Sequence, residues 1–204
     1  MAKPTTVAPA HLTDRTVHLC VDMQRLFAPG GPWPTPWMER VLPAMTAIAT
    51  AHAARTVFTR FIPPEKPEHM PGAWRDYYRR WREVTGEHLD PEMLELVPPL
   101  AALVPPAVVI DKPVYSAFHG DRLRRLLSER GADALVVTGG ETDVCVLATV
   151  LGAVDSGYRV LLVTDAVCSS SDAGHDALMT LFSTRFSLQV ELTTAEALLS
   201  AWTG

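Results

Sequence analysis

ALVVTGGETDVCVLATVLGAVDSGYRVLLVTD, residues 134–165, contains one strand–helix–strand unit. Its two flanks, Ala134–Gly139 and Arg159–Asp165, are short apolar runs rich in valine and leucine, the composition of strands buried on both faces. Between them TDVCVLATVLGAVDSG repeats its apolar residues with a 3.6-residue period, with Thr142 placed to cap the helix and Gly157 to end it. Parallel neighbours need a crossover of this kind, because a tight turn can join only antiparallel strands.

The same alternation extends in both directions. Further strands are expected at Thr16–Met23, Arg55–Phe61, Ala107–Ile110 and Ser187–Leu192, and helices in MERVLPAMTAIATAHAA, GDRLRRLLSERG, DAGHDALMTLFSTRF and TTAEALLSAW. Asp121 is placed to cap the helix that Gly131 ends, and Thr193 or Thr194 precedes the last helix. The pattern predicts an α/β fold: a three-layer α/β/α domain around a six-stranded, mostly parallel sheet. One domain is expected over 15–204, with 1–14 as a flexible lead-in. The long 62–106 insertion, rich in proline, tryptophan and tyrosine, reads as a lid, an interface or a decorated surface loop, with a short helix at WRDYYRRW.

Composition narrows the function. The 204 residues are 48% hydrophobic and 20% charged, with a formal net charge of -5, which argues against nucleic acid as a partner. No apolar run approaches a membrane span, so no membrane partner is expected. Cys20, Cys145 and Cys168 form no C-x-x-C pair and no even set, which fits a reducing, cytoplasmic setting better than a disulfide framework.

In open parallel sheets, ligands gather beyond the carboxyl ends of the strands. Three polar residues stand there: Asp22 after VHLCV, Lys112 after AVVID, and Cys145 in the first turn after ALVVTGGET. Taken singly, each has an ordinary explanation as a turn former, a solvated cation or a packed thiol. Taken together, they supply a nucleophile near a helix N-terminus, a carboxylate to move its proton, and an ammonium to balance the charge. TGGETD lacks the glycine spacing of a dinucleotide loop, and Leu151 stands where a cysteine phosphatase would need an arginine.

VHLCVDMQRLFAPGG, FTRF, VIDKPVYSAFHG, VVTGGETDVCVLATVLGAVDSGYRVLLVTDAVCSSSD and HDALMTLF occur in this order between about residues 16 and 192. In these blocks the chain resembles the isochorismatase-like cysteine hydrolases, a superfamily that includes nicotinamidases and N-carbamoylsarcosine amidases. The resemblance implies a Rossmann-like sheet of order 3-2-1-4-5-6. It implies an Asp-Lys-Cys triad at Asp22, Lys112 and Cys145, and a cis peptide at Gly140-Glu141. It also implies an oxyanion hole from the backbone N–H groups of Glu141 and Cys145. The implied activity is hydrolysis of a small amide or ureido compound, with dimers or tetramers as the usual assembly.

Nicotinamidases carry an Asp-x-His metal motif after the second strand. Here that stretch reads FTRFIPPEKPEHMPGAW, with Arg60 and Pro63 near the ligand positions and His69 alone. No catalytic metal and no cofactor is therefore expected, and Arg60 becomes either a carboxylate anchor at the pocket rim or a paired surface arginine. Phe27, Trp33, Trp37, Trp74, Tyr115 and Phe118 are either pocket walls for a planar amide or core residues, and Cys168 is either a further wall residue or, as the better reading, a small packed thiol. Two other readings remain: a metal-assisted nicotinamidase, and a non-catalytic scaffold or small-molecule sensor of the same fold.

Overall fold

The computed structural model describes residue 9 and residues 12–203. Most of the expected lead-in lies outside the described residues, but Leu12 packs into the core. Six strands form a single parallel sheet: β1 (Thr16–Val21), β2 (Thr56–Phe61), β3 (Val108–Lys112), β4 (Ala134–Gly140), β5 (Arg159–Cys168) and β6 (Val190–Thr193). The order across the sheet is β3-β2-β1-β4-β5-β6, and every neighbouring pair is parallel. β1 and β4, each buried along its whole length, occupy the centre.

The helices are α1 (Met38–Ala51), α2 (Gly72–Arg80), α3 (Pro98–Ala101), α4 (Arg122–Glu129), α5 (Leu147–Asp155), α6 (Asp172–Thr184) and α7 (Ala195–Ala201). Met38, Val41, Met45 and Ile48 of α1, with Leu100 and Leu198, cover one face of the sheet. Leu123 and Leu127 of α4, Val150 and Ala153 of α5, and Leu178 and Phe182 of α6 cover the other. Burying apolar surface on both faces contributes roughly 25 cal/mol per Å², which explains why the strands carry almost no polar alternation. Among the described residues, no helix is long and apolar enough to cross a membrane.

Several boundaries differ from the pattern-based reading. β5 continues past Thr164 and Asp165 to Cys168, because both polar side chains find partners at the strand edge. The Thr164 hydroxyl donates to the Thr193 carbonyl, and an Asp165 carboxylate oxygen accepts the Ala195 N–H that opens α7. β3 begins at Val108 and runs through Lys112, since the Ala107 N–H is held by the Leu103 carbonyl in the preceding turn. Thr194 caps α7 as expected, whereas Asp121 makes no side-chain cap and the Thr142 hydroxyl instead donates to the Cys168 carbonyl.

The insertion folds back over the carboxyl ends of β1 and β2. Gln24, fully buried, holds it there: its amide nitrogen donates to the Phe61 and Leu94 carbonyls at 3.1 and 2.9 Å, and its oxygen accepts the Phe61 N–H at 2.6 Å. A third apolar cluster forms beneath the insertion from Leu26, Phe61, Met70, Tyr78, Val84 and Leu89.

Candidate active site

At the end of β4 the backbone does what only glycine permits. Gly139 has φ +113°, and a Cβ there would overlap the Val21 carbonyl oxygen and amide nitrogen. That close approach brings the end of β1, and hence Asp22, against the turn that follows β4. The Gly140-Glu141 peptide is cis, as the resemblance implies. The next five residues, Thr142–Val146, form a single π-turn before α5 begins, closed by a bond from the Val146 N–H to the Glu141 carbonyl at 3.0 Å. Such wide turns insert one residue into a helical path and are frequent where a side chain must be redirected. Here the redirected residue is Cys145, 5% exposed and lining a cavity.

Asp22 sits in the left-handed region, with φ 51°, a conformation aspartate adopts more readily than most residues. One carboxylate oxygen accepts from Lys112 Nζ at 2.6 Å, the other from the Thr59 hydroxyl at 2.6 Å. The Asp22 N–H is shared between the Thr59 carbonyl and hydroxyl oxygens. Lys112, the last residue of β3, reaches across β2 to make this pair; its Nζ also donates to the Val114 carbonyl and lies 5.1 Å from the Phe61 ring centre. Both charged side chains are at most 1% exposed.

The Cys145 thiol meets both charges. Burial pushes its pKa well above the usual thiol range, the Asp22 carboxylate pushes it further, and Lys112 pulls it back. The resting group is therefore a thiol beside a carboxylate. Burial is the largest of these influences, so the surroundings favour the thiol over the thiolate.

The cavity encloses about 400 Å³. Phe27 and Tyr115 line it, as expected, and so does Trp33. Five other candidates lie outside its lining. Trp74 supports the wall from behind, its ring 4.8 Å from that of Tyr115. Phe118 is buried against Gly152 of α5 in the core. Cys168 lies behind Gly140, fully buried, with its thiol facing the Gly139 carbonyl and pushed up to about 12. Arg60 points away to the surface, gripping both oxygens of Asp111 at 2.8 and 3.1 Å and Glu95 at 2.9 Å, so it is a paired arginine and no rim anchor. Trp37 stands apart from the cavity against His175 and Arg40.

Residues that sequence reasoning did not single out complete the site. Tyr77 and Trp81 from the insertion, Phe61 from the end of β2, and Val144 and Ser170 from two strand-end loops all line the cavity. Their signal was weak: nothing in WRDYYRRW says which ring faces a pocket. Thr59 had a readable sign, a hydroxyl inside an otherwise apolar strand.

Among the described residues, no three histidine, cysteine, aspartate or glutamate side chains gather into a metal-binding group. The second-strand region supplies Arg60, already paired, and His69 in the short turn Pro67–His69, gathered into no such group, so this donor set does not fit a catalytic metal.

The sequence pattern of the isochorismatase domain matches residues 16–197. The chain belongs to the isochorismatase family. This isochorismatase-family protein is similar to the family member PncA of Bacillus subtilis, 35% identical over 86 residues, a match covering 42% of this chain and 47% of that one. It is also similar to the ureidoacrylate amidohydrolase RutB of Methylorubrum extorquens, 29% identical over 201 residues, covering 87% and 77%. The crystal structure of a cysteine hydrolase from Pseudomonas syringae pv. phaseolicola shares the fold, with a TM-score of 0.80 at 24% identity over 99% of this chain and 100% of that one. The match to PncA spans less than half the length of that relative.

Proposed function

We propose that this isochorismatase-family protein hydrolyses a C–N bond in a small amide or ureido compound through a thioester at Cys145. The observation that carries the reading is the contact of one thiol with a buried carboxylate–ammonium pair on the wall of a cavity. Support also comes from the amidohydrolase named among its relatives.

The resting proton sits on sulfur, so attack begins with its transfer. Asp22 accepts the Cys145 proton as the sulfur adds to the substrate carbonyl carbon. The carbonyl oxygen, now negative, is received by the Glu141 and Cys145 N–H groups, donors whose positions are set in advance by the backbone of the turn. The C–N bond then breaks, Asp22 returns the proton to the departing nitrogen, and ammonia or an amine leaves with an acyl group on sulfur. A water molecule gives its proton to Asp22, attacks the thioester carbon and releases the carboxylic acid or carbamate. Asp22 then returns its proton to the sulfur. Lys112 keeps the pair's charge balanced throughout, and Thr59 fixes the carboxylate's direction.

The test is a screen of small amides and ureas for ammonia release, with Cys145→Ala as the blank and intact-mass measurement during turnover. An acyl adduct on wild-type protein, absent from C145A, is the expected result. Full ammonia release by C145A refutes the mechanism.

A further inference from the structure

The side chain of Glu141 has no part in the mechanism above, where only its N–H is used. Among the described residues lining the cavity it is the one carboxylate, and no lysine, arginine or histidine lines the cavity with it. Among the described residues Glu141 makes no ion pair, while Lys112 is held by Asp22 and Arg60 by Asp111 and Glu95. The Glu141 carboxyl is half-buried and fixed. It accepts from the Thr35 hydroxyl at 3.3 Å and from the side chain and backbone of Ser170, and burial raises its pKa. Its charge is felt at the phenols of Tyr77 and Tyr115, which line the same cavity.

The remaining wall is aromatic. Trp33 meets Trp81 edge-on at 87° and Tyr77 at 60°, with Phe27 stacked behind at 25°, so the rings enclose a space instead of stacking into a slot. The paired phenols of Tyr77 and Tyr115 are neutral. An aromatic enclosure with one fixed carboxylate favours a cation, through ring faces and Coulomb attraction together. The same enclosure disfavours an anion, which would be desolvated beside a like charge with no partner.

We propose that Glu141 is a specificity-determining residue that sets the charge of the substrate: the cavity takes amides carrying a protonated amine or no charge, and turns away amides carrying a carboxylate. The inference rests on the amidohydrolase reading for its chemistry. It separates this protein from a relative named for a carboxylate substrate, ureidoacrylate.

The test uses three benzamides of similar shape: 4-(aminomethyl)benzamide, 4-ethylbenzamide and 4-carbamoylbenzoate. Dissociation constants are measured calorimetrically on Cys145→Ala, so that binding is read without turnover. The expected order is cation tightest and anion weakest. A charge near the carboxylate is worth on the order of 10-fold for each sign, so the two ends of the series differ about 100-fold. Adding Glu141→Gln lowers that cation-to-anion ratio at least 10-fold, and Glu141→Asp, which keeps the charge, preserves the order. The ratio cancels any general loss from disturbing the turn. Equal binding of the three, tighter binding of the anion, no binding of any, or an unchanged ratio in the Gln variant overturns the proposal. Ammonia release by the wild type is scored separately: the expected binding order without any release sinks the amidohydrolase reading and leaves the charge preference standing.

Discussion

Replacing Asp22 by asparagine separates two properties of Cys145 that a general disruption would lose together, turnover and reactivity. Asparagine tolerates the left-handed backbone at position 22, and its amide oxygen still accepts a hydrogen bond from Lys112 or Thr59, but it takes no proton. Loss of the general base lowers kcat by on the order of 10²- to 10⁴-fold. The bare reactivity of the thiol moves the other way. In the wild type, burial and then the Asp22 charge hold the thiol protonated, while Lys112 opposes them. With the carboxylate gone, the thiol faces Lys112 alone. A charge change at this range alters the thiolate population about 10- to 1000-fold. A less basic thiolate is a weaker nucleophile, with a sensitivity of about 0.4–0.5, so the net gain in alkylation rate is about 3- to 60-fold. The assay is the rate of iodoacetamide modification at pH 7, followed by peptide mass spectrometry, with Cys20 and Cys168 as internal controls because burial holds both up to about 12. The midpoint of the rate–pH profile shifts to lower pH in D22N. Slower alkylation of D22N than of wild type would refute the reasoning, since it would mean that the carboxylate promotes ionisation of the resting thiol.

Three further outcomes follow from neighbouring contacts. Thr59→Val strips one partner from a buried carboxylate oxygen, costing about 1–3 kcal/mol of stability by chemical denaturation, with kcat falling more than KM rises. Gly139→Ala drives a Cβ into the Val21 backbone at the centre of the sheet, where no side-chain rotation relieves it; a cost above about 4 kcal/mol is expected, a fall in Tm of about 8–16 °C or failure to fold. His18, wedged between the Thr56 and Thr138 hydroxyls, has its pKa lowered to about 3 by burial, with a smaller push from His52. The unfolded chain thus binds this proton first, so stability is full above about pH 6.5 and declines as pH falls toward 3, by about 2 kcal/mol at pH 5. Unfolding measurements at pH 7.5 and 5 check the slope, which should flatten by one proton in His18→Leu.

The central sheet was legible because it is written in the simplest code available to a sequence: strands buried on both faces, each followed by a helical stripe or an obvious break. Polar residues at the ends of such runs are conspicuous, and Asp22, Lys112 and Cys145 were visible for that reason. Their meeting was expected from their chemistry and from the family resemblance, but no local pattern shows how it is achieved. It depends on Lys112 crossing a whole strand and on Gly139 letting β1 and β4 approach more closely than ordinary strands, and a pairwise register has no sequence period of its own. Thr142 shows the limit of a local rule. It occupies a capping position, yet its hydroxyl goes to the Cys168 carbonyl, because the π-turn redirects the first turn of the helix.

The cavity was harder still, because two of its aromatic walls, Tyr77 and Trp81, belong to an insertion held in place by the buried Gln24 and by backbone bonds from Arg25 to Glu95 and from Val97 to Met23. Gln24 fixes the insertion against β2. From there Tyr77 and Trp81 face the cavity, while Trp74, three residues before Tyr77 on the same short helix, turns its ring to the supporting layer. Hydrophobic periodicity cannot separate these positions, since ring faces toward a ligand and ring faces toward a core are equally apolar. Charge separates them better. Arg60 was one possible anchor on paper, but Asp111 lies directly opposite it in the β2–β3 register and takes two of its donor nitrogens, and Glu95 takes the third. Among the described residues Glu141 makes no ion pair; its partners are hydroxyls and a backbone amide. A fixed carboxylate that makes no ion pair among the described residues, at the edge of an aromatic cavity, selects the sign of what enters.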